Sequence, residues 1–203
     1  MKKIYLTILI IIIIFFVVLI YNKPLNQEEI ISKDKTPDTE LPIEKARERI
    51  TKKPFGIKIS PENSPISPEH FSGYHTGVDY EILEGEENTN VQVLAICDGK
   101  LLKKETATGY GGIAIQECEL NDQIVTVLYG HIKISSIQQN IEDYISKGDK
   151  LALLGAGFSQ ETDGERKHLH LSIHKGPDID IRGYVQNESG LKDWIDFEEY
   201  LRK

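Results

Sequence analysis

Cysteine is nearly absent. Two residues, Cys97 and Cys118, stand in a chain of 203. They show no C-x-x-C spacing, which argues against a metal site built on thiolates. Clusters of Lys and Arg are missing as well, and the net charge is −8 with a pI of about 5.3. An acidic chain without basic patches excludes nucleic acid and anionic membrane surfaces as expected partners. Two glycine clusters, Gly109-Tyr110-Gly111-Gly112 and Gly155-Ala156-Gly157, do not lie between a strand and a helix in a βαβ unit. They read as turns and not as nucleotide fingerprints. No internal repeat occurs.

One long apolar run is present. Residues 4–21 carry Thr7 as their one strongly polar side chain. Eighteen helical residues at 1.5 Å each span about 27 Å, close to the hydrocarbon core of a bilayer. Lys2 and Lys3 precede the run, which places the N-terminus inside. The run exceeds a signal-peptide core and no small-x-small cleavage site follows. The expectation is a single-pass anchor in a bacterial cytoplasmic membrane, with the rest of the chain outside.

Residues 22–53 are polar and include Pro24, Pro37 and Pro42. Such composition buries too little apolar area to offset its ordering entropy, so a disordered tether is expected. A short helix within 42–51 is expected to be solvated. Residues 54–203 then form one domain of ordinary size. In an oxidising compartment the two cysteines permit a disulfide, with a stabilisation of about 3 kcal/mol in the chain-entropy model. The alternative is two half-buried thiols packed as small hydrophobes.

The domain reads as all-β, an antiparallel sheet or sandwich. β-rich runs at 91–96, 100–105, 113–116, 124–129, 150–154 and 169–173 are separated by Asp98-Gly99, the glycine cluster at 109–112, Asn121-Asp122 and Lys147-Gly148-Asp149. Spacing of 8–12 residues between strands suits that class. Weak helical character is confined to 135–144 and 193–201.

Histidine carries the chemistry. His168-Leu169-His170 lies in a run of period two, so both imidazoles project from one face while Leu169, Leu171 and Ile173 point into a core. His75 and Asp79 flank Gly77, which is expected to bend the chain so that both face one point. His75, Asp79 and His170 make a three-ligand set with an open position, the pattern of a catalytic zinc. One ion per chain is expected. His131 and His168 remain for proton transfer. His70 and His174 read as ordinary polar residues.

These residues resemble the LytM/lysostaphin-type zinc metallopeptidases of bacterial peptidoglycan. The resemblance rests on His75-Thr76-Gly77-Val78-Asp79, Tyr129-Gly130-His131 and His168-Leu169-His170, in that order. It extends to residues 93–99, the cluster at 109–112 and residues 145–151. It implies the duplicated hybrid motif fold and a peptidoglycan endopeptidase acting in wall remodelling or division. It implies that His75, Asp79 and His170 hold Zn²⁺, with His131 and His168 as general base and as stabiliser of the tetrahedral oxyanion. The chain has no His-Glu-x-x-His helix to supply a glutamate base, which fits that division. One departure is marked. The family's Thr-Gly-Pro before the second motif is replaced by Glu161-Thr162-Asp163-Gly164-Glu165-Arg166-Lys167. This charged loop is expected on the groove rim, where it bears on substrate preference and not on the zinc site. Residues 60–72 are expected to form a groove wall. Two other readings stand beside the enzyme: an inactive LytM-like activator or scaffold of another wall hydrolase, and a lipoyl- or biotinyl-type hybrid-barrel adaptor.

Overall fold

The computed structural model describes residues 39–202. The expected membrane segment, residues 4–21, and the tether up to residue 38 lie outside the described residues. Among those described, no helix is long and apolar enough to cross a membrane.

Eleven strands are described. They are β1 (Lys58–Ile59), β2 (Gly73–His75), β3 (Gly77–Glu81), β4 (Gln92–Leu94), β5 (Gly99–Ala107), β6 (Gly111–Leu120), β7 (Gln123–Gly130), β8 (Tyr144–Ile145), β9 (Lys150–Leu153), β10 (His168–Lys175) and β11 (Tyr184–Val185). The main sheet has the order β3-β10-β7-β6-β5-β8, and all of its pairings are antiparallel. Two smaller sheets, β1-β2-β11 and β4-β9, complete the domain. The all-β expectation holds.

The period-two pattern sets which face is buried. Val78, Tyr80, Leu169, Leu171 and Ile173 go to the core with Val93, Ile96, Leu101, Val127 and Tyr129. The β6–β7 hairpin turns at Asn121 and Asp122, both with φ near +55° (51° and 60°), the left-handed geometry that a two-residue hairpin loop requires. Cys97 and Cys118 form a disulfide, which decides between the two cysteine readings. It joins the end of the β4 region to β6 beside a buried network. There the Gln116 amide donates to the Cys97 carbonyl at 2.9 Å, and the Tyr129 hydroxyl donates to Gln116 Oε1 at 2.9 Å.

Two expectations need correction. Residues 135–144 are not helical; a short 3-10 turn at Ile134–Ser136 is all that forms. The second half of the expected tether is not free. Residues 39–53, with a one-turn helix α1 (Ala46–Arg49), strap onto the domain. Ile43 and Ala46 belong to the core, and Arg49 is 1 % exposed. Arg49 donates to the Glu81 carbonyl at 3.1 Å and to both Glu86 carboxylate oxygens at 2.5 and 2.8 Å. The composition of the segment hid this, because a few residues, the apolar Ile43 and Ala46 and the paired Arg49, anchor it. The domain therefore starts near residue 39 and not at 54. The tail carries a 3-10 turn (Glu188–Asp193) and α2 (Phe197–Tyr200), capped by Asp196, as its weak helical pattern suggested.

Candidate metal centre

Strand register assembles the site. β10 pairs with β3 so that His170 stands opposite Asp79 and His168 opposite Glu81. On its other side β10 pairs with β7, which sets Gly130 opposite His170 and delivers His131 one residue beyond the strand end. His131 has φ of 60°, a strained geometry for a non-glycine residue, and it is buried. His75 ends β2, which belongs to a different sheet from β3. The junction is Thr76, whose hydroxyl donates to the Arg182 carbonyl at 2.6 Å.

His75 Nε2 lies 3.0 Å from His170 Nδ1, His170 Nδ1 lies 3.1 Å from Asp79 Oδ1, and Asp79 Oδ1 lies 3.3 Å from His75 Nε2. All three residues are buried. Ligand atoms of a tetrahedral zinc at 2.0–2.2 Å stand about 3.3–3.6 Å apart, so this triangle is close to one face of that tetrahedron. His75 Nδ1 sits 3.2 Å from the Pro54 carbonyl, to which it donates, leaving Nε2 with its lone pair toward the cluster. These donors fit a zinc ion in identity, number and direction, and their chemistry suits that metal.

Gly77 plays a different part from the one expected. Its backbone does not bend the chain through a left-handed residue; the His170 ring lies over it. A Cβ there would stand 2.8 Å from His170 Cε1 and Nε2 and 2.5 Å from the Leu171 carbonyl oxygen.

Electrostatics divide the histidines. Burial alone would raise the Asp79 carboxyl. The facing His168 and His75, with hydrogen bonds from His168 and His170, outweigh it and hold the group well below the usual carboxylate range. Burial pushes His170 down to about 4, against the opposing pull of Asp79. Burial also holds His131 well below the ordinary histidine value, helped by the neighbouring His168. The His131 and His168 rings are 4.2 Å apart between centroids. His168 Nδ1 donates to the Arg166 carbonyl at 2.9 Å, and its Nε2 lies 3.4 Å from Asp79 Oδ2.

Asp79 and His170, with His131 and His168, line a groove of about 370 Å³, and His75 lies beneath them, fully buried. Tyr110 covers one side, with its ring 5.2 Å from that of His170. Tyr184 covers the other, 5.2 Å from His75 and stacked on Phe71 at 5.5 Å. Phe71 and Ser72 give residues 60–72 their share of the wall. His70 is exposed, and His174 donates to the Asp178 carbonyl.

The fold brings all five expected residues together: His75, Asp79, His170, His131 and His168. Arg166, Glu81, Tyr110, Tyr184 and the Pro54 carbonyl join them, and none is among the site residues expected from sequence. A signal existed for two of them. Glu81 is two residues beyond Asp79, and Arg166 two before His168, so period two puts each on the site face. The expectation that the loop at 161–167 bears only on substrate is corrected, because Arg166 donates to Asp79 Oδ2 at 2.8 Å.

The molecule is thus a β-rich domain with a buried His-Asp-His cluster and two further histidines at the floor of an open groove. The chain belongs to Peptidase family M23, whose model matches residues 73–182, more than half of its length. Similar solved structures include the catalytic domain of the antimicrobial peptidase lysostaphin from Staphylococcus simulans, with 19 % identity, 78 % of this chain and 98 % of that one covered, and a TM-score of 0.49. LytU follows with 22 % identity, 75 % and 90 % coverage and a TM-score of 0.48. A complex of SpoIIIAH and SpoIIQ contains a chain with 18 % identity, 75 % and 98 % coverage and a TM-score of 0.47. Comparison with curated proteins finds no match.

Proposed function

We propose that this chain is a zinc endopeptidase that hydrolyses peptide bonds of bacterial peptidoglycan, held at the outer face of the cytoplasmic membrane by residues 4–21. The observation that carries the reading is the donor triangle of His75 Nε2, Asp79 Oδ1 and His170 Nδ1, with two more imidazoles beside it. Membership in Peptidase family M23 supports peptide-bond hydrolysis. The wall substrate rests on the resemblance of the three motifs to the LytM/lysostaphin type.

His75, Asp79 and His170 would hold the ion. A bound zinc supplies a Lewis acid for the scissile carbonyl and brings the pKa of water toward about 7. The other two histidines divide the proton work. His168 commits its Nδ1–H to the Arg166 carbonyl, so Nε2 is the free basic atom. A proton taken there is stabilised by Asp79 Oδ2 at 3.4 Å. His131 is kept neutral by burial and serves as hydrogen-bond partner for the charge that develops on the carbonyl oxygen. Tyr110 and Tyr184 bound the groove on either side of these residues. A membrane anchor confines the enzyme near the wall and raises its effective concentration there.

The test is digestion of purified peptidoglycan by residues 38–203, read as newly released amino groups, with His131→Ala, His168→Ala and His170→Ala variants beside it. The expected result is hydrolysis abolished by His170→Ala and lowered about 10²–10⁴-fold by loss of either other histidine. A folded, zinc-loaded domain that releases no amine would refute the enzyme and favour an inactive activator or scaffold.

A further inference from the structure

The loop that departs from the family motif ends at Arg166, immediately before β10, and that residue ties two parts of the centre together. Its Nη2 donates to Asp79 Oδ2 at 2.8 Å and to Glu81 Oε1 at 2.6 Å, while Nε donates to both Glu81 oxygens at 3.0 Å. Its backbone carbonyl accepts the His168 Nδ1–H at 2.9 Å. The Arg166 side chain is 13 % exposed, and Asp79 and Glu81 are buried. Lys52 Nζ also lies 3.4 Å from the Glu81 carboxylate.

We propose that Arg166 is a positioning residue of the metal centre. Its guanidinium occupies one oxygen of Asp79 and leaves Oδ1 as the single atom offered to the ion. A carboxylate with both oxygens free can chelate or rotate. Here a charged donor on Oδ2, the oxygen that also faces His168 Nε2 at 3.4 Å, removes those alternatives. Glu81 orients the guanidinium by a two-pronged contact, which a lysine cannot reproduce because its ammonium is a point charge. The carbonyl of the same residue fixes the tautomer of His168, so one residue sets both the carboxylate ligand and the proton carrier. Outer partners of metal ligands commonly govern 10–100-fold in metal affinity.

This inference rests on the zinc reading. Its test is zinc affinity by competition with a chelator, measured on residues 38–203 carrying Arg166→Met, Arg166→Lys or Arg166→Met with Glu81→Met. The double variant removes the stranded carboxylate and so restores the fold if Arg166 serves only as a salt-bridge partner. The expected result is a loss of about 10–100-fold in zinc affinity for Arg166→Met that the double variant does not recover. Arg166→Lys is expected to recover it in part. For hydrolysis, kcat falls while KM stays within about threefold. Wild-type zinc affinity in a folded Arg166→Met or Arg166→Lys protein overturns the positioning role and leaves the zinc site standing. A raised KM with zinc affinity intact also overturns it, making Arg166 a substrate contact. Failure of the unsubstituted domain to bind zinc removes the zinc reading itself, and this inference with it.

Discussion

Removing residues 39–53, or weakening their grip, will destabilise the domain. Ile43 is 1 % exposed and packs into the main core, so Ile43→Ala removes buried methyl groups and leaves a cavity. Such a change costs about 2–5 kcal/mol. At roughly 2–4 °C per kcal/mol for a domain of this size, Tm falls by about 4–20 °C. A chain starting at residue 54 loses more. It gives up Ala46, the Arg49 contacts to Glu86 and the Glu81 carbonyl, and the Lys53 ammonium beside buried Glu69 at 2.5 Å. It also loses the Lys53 carbonyl that accepts the Asp79 amide at 3.0 Å, so one metal ligand loses a backbone support. The assay is thermal unfolding by circular dichroism of residues 38–203, the same chain with Ile43→Ala, and residues 54–203, each with the disulfide intact. The shorter chain is expected to melt at least as early as Ile43→Ala. If both melt within about 2 °C of the longer chain, the strap contributes nothing and the burial argument fails.

Three further outcomes follow from the same physics. Reducing the disulfide, or replacing Cys97 and Cys118 by Ala, is expected to cost about 3 kcal/mol through a loop closed over a sequence separation of 21, read as a lower urea midpoint; an unchanged midpoint contradicts the entropic account. Gly77→Ala places a Cβ 2.8 Å from the His170 ring and is expected to cost about 1–3 kcal/mol and to weaken zinc binding; a folded variant with wild-type zinc affinity would show that the His170 ring shifts freely. The metal-free domain is expected to lose stability as pH falls from about 6.5 toward 4. The unfolded chain takes up a proton near 6.5, whereas His170 resists it until about 4 and His131 is shifted the same way, so the unfolded state binds more protons throughout that window. The slope is about 1.4 kcal/mol per pH unit for each such histidine, and a flat profile of Tm against pH would refute it.

Much of this was legible in the sequence, and the reasons are specific. His168 and His170 announce themselves by alternating with Leu169 and Leu171, and the β3–β10 register turns that alternation into a shared face. Asn121-Asp122 states its turn through local backbone preference alone. The packing of residues 39–53 is not legible, because average composition says nothing of one isoleucine, one alanine and one arginine that find partners far along the chain. A glycine between two ligands suggests a turn, which is why Gly77 is expected from sequence to bend the chain. What it supplies is space for a ring that arrives from a residue more than ninety positions later, and contacts at that separation leave no local trace. Arg166 reads as loop charge because its partners, Asp79 and Glu81, lie on the neighbouring strand β3, more than eighty positions earlier in the chain.

The most direct test of the central claim is the position of the ion in zinc-loaded crystals of residues 38–203, located by anomalous scattering at the zinc edge. The account predicts one ion per chain, about 2.0–2.2 Å from His75 Nε2, Asp79 Oδ1 and His170 Nδ1, with His131 and His168 outside bonding distance. An anomalous peak elsewhere, or no peak at that cluster at saturating zinc, would contradict it.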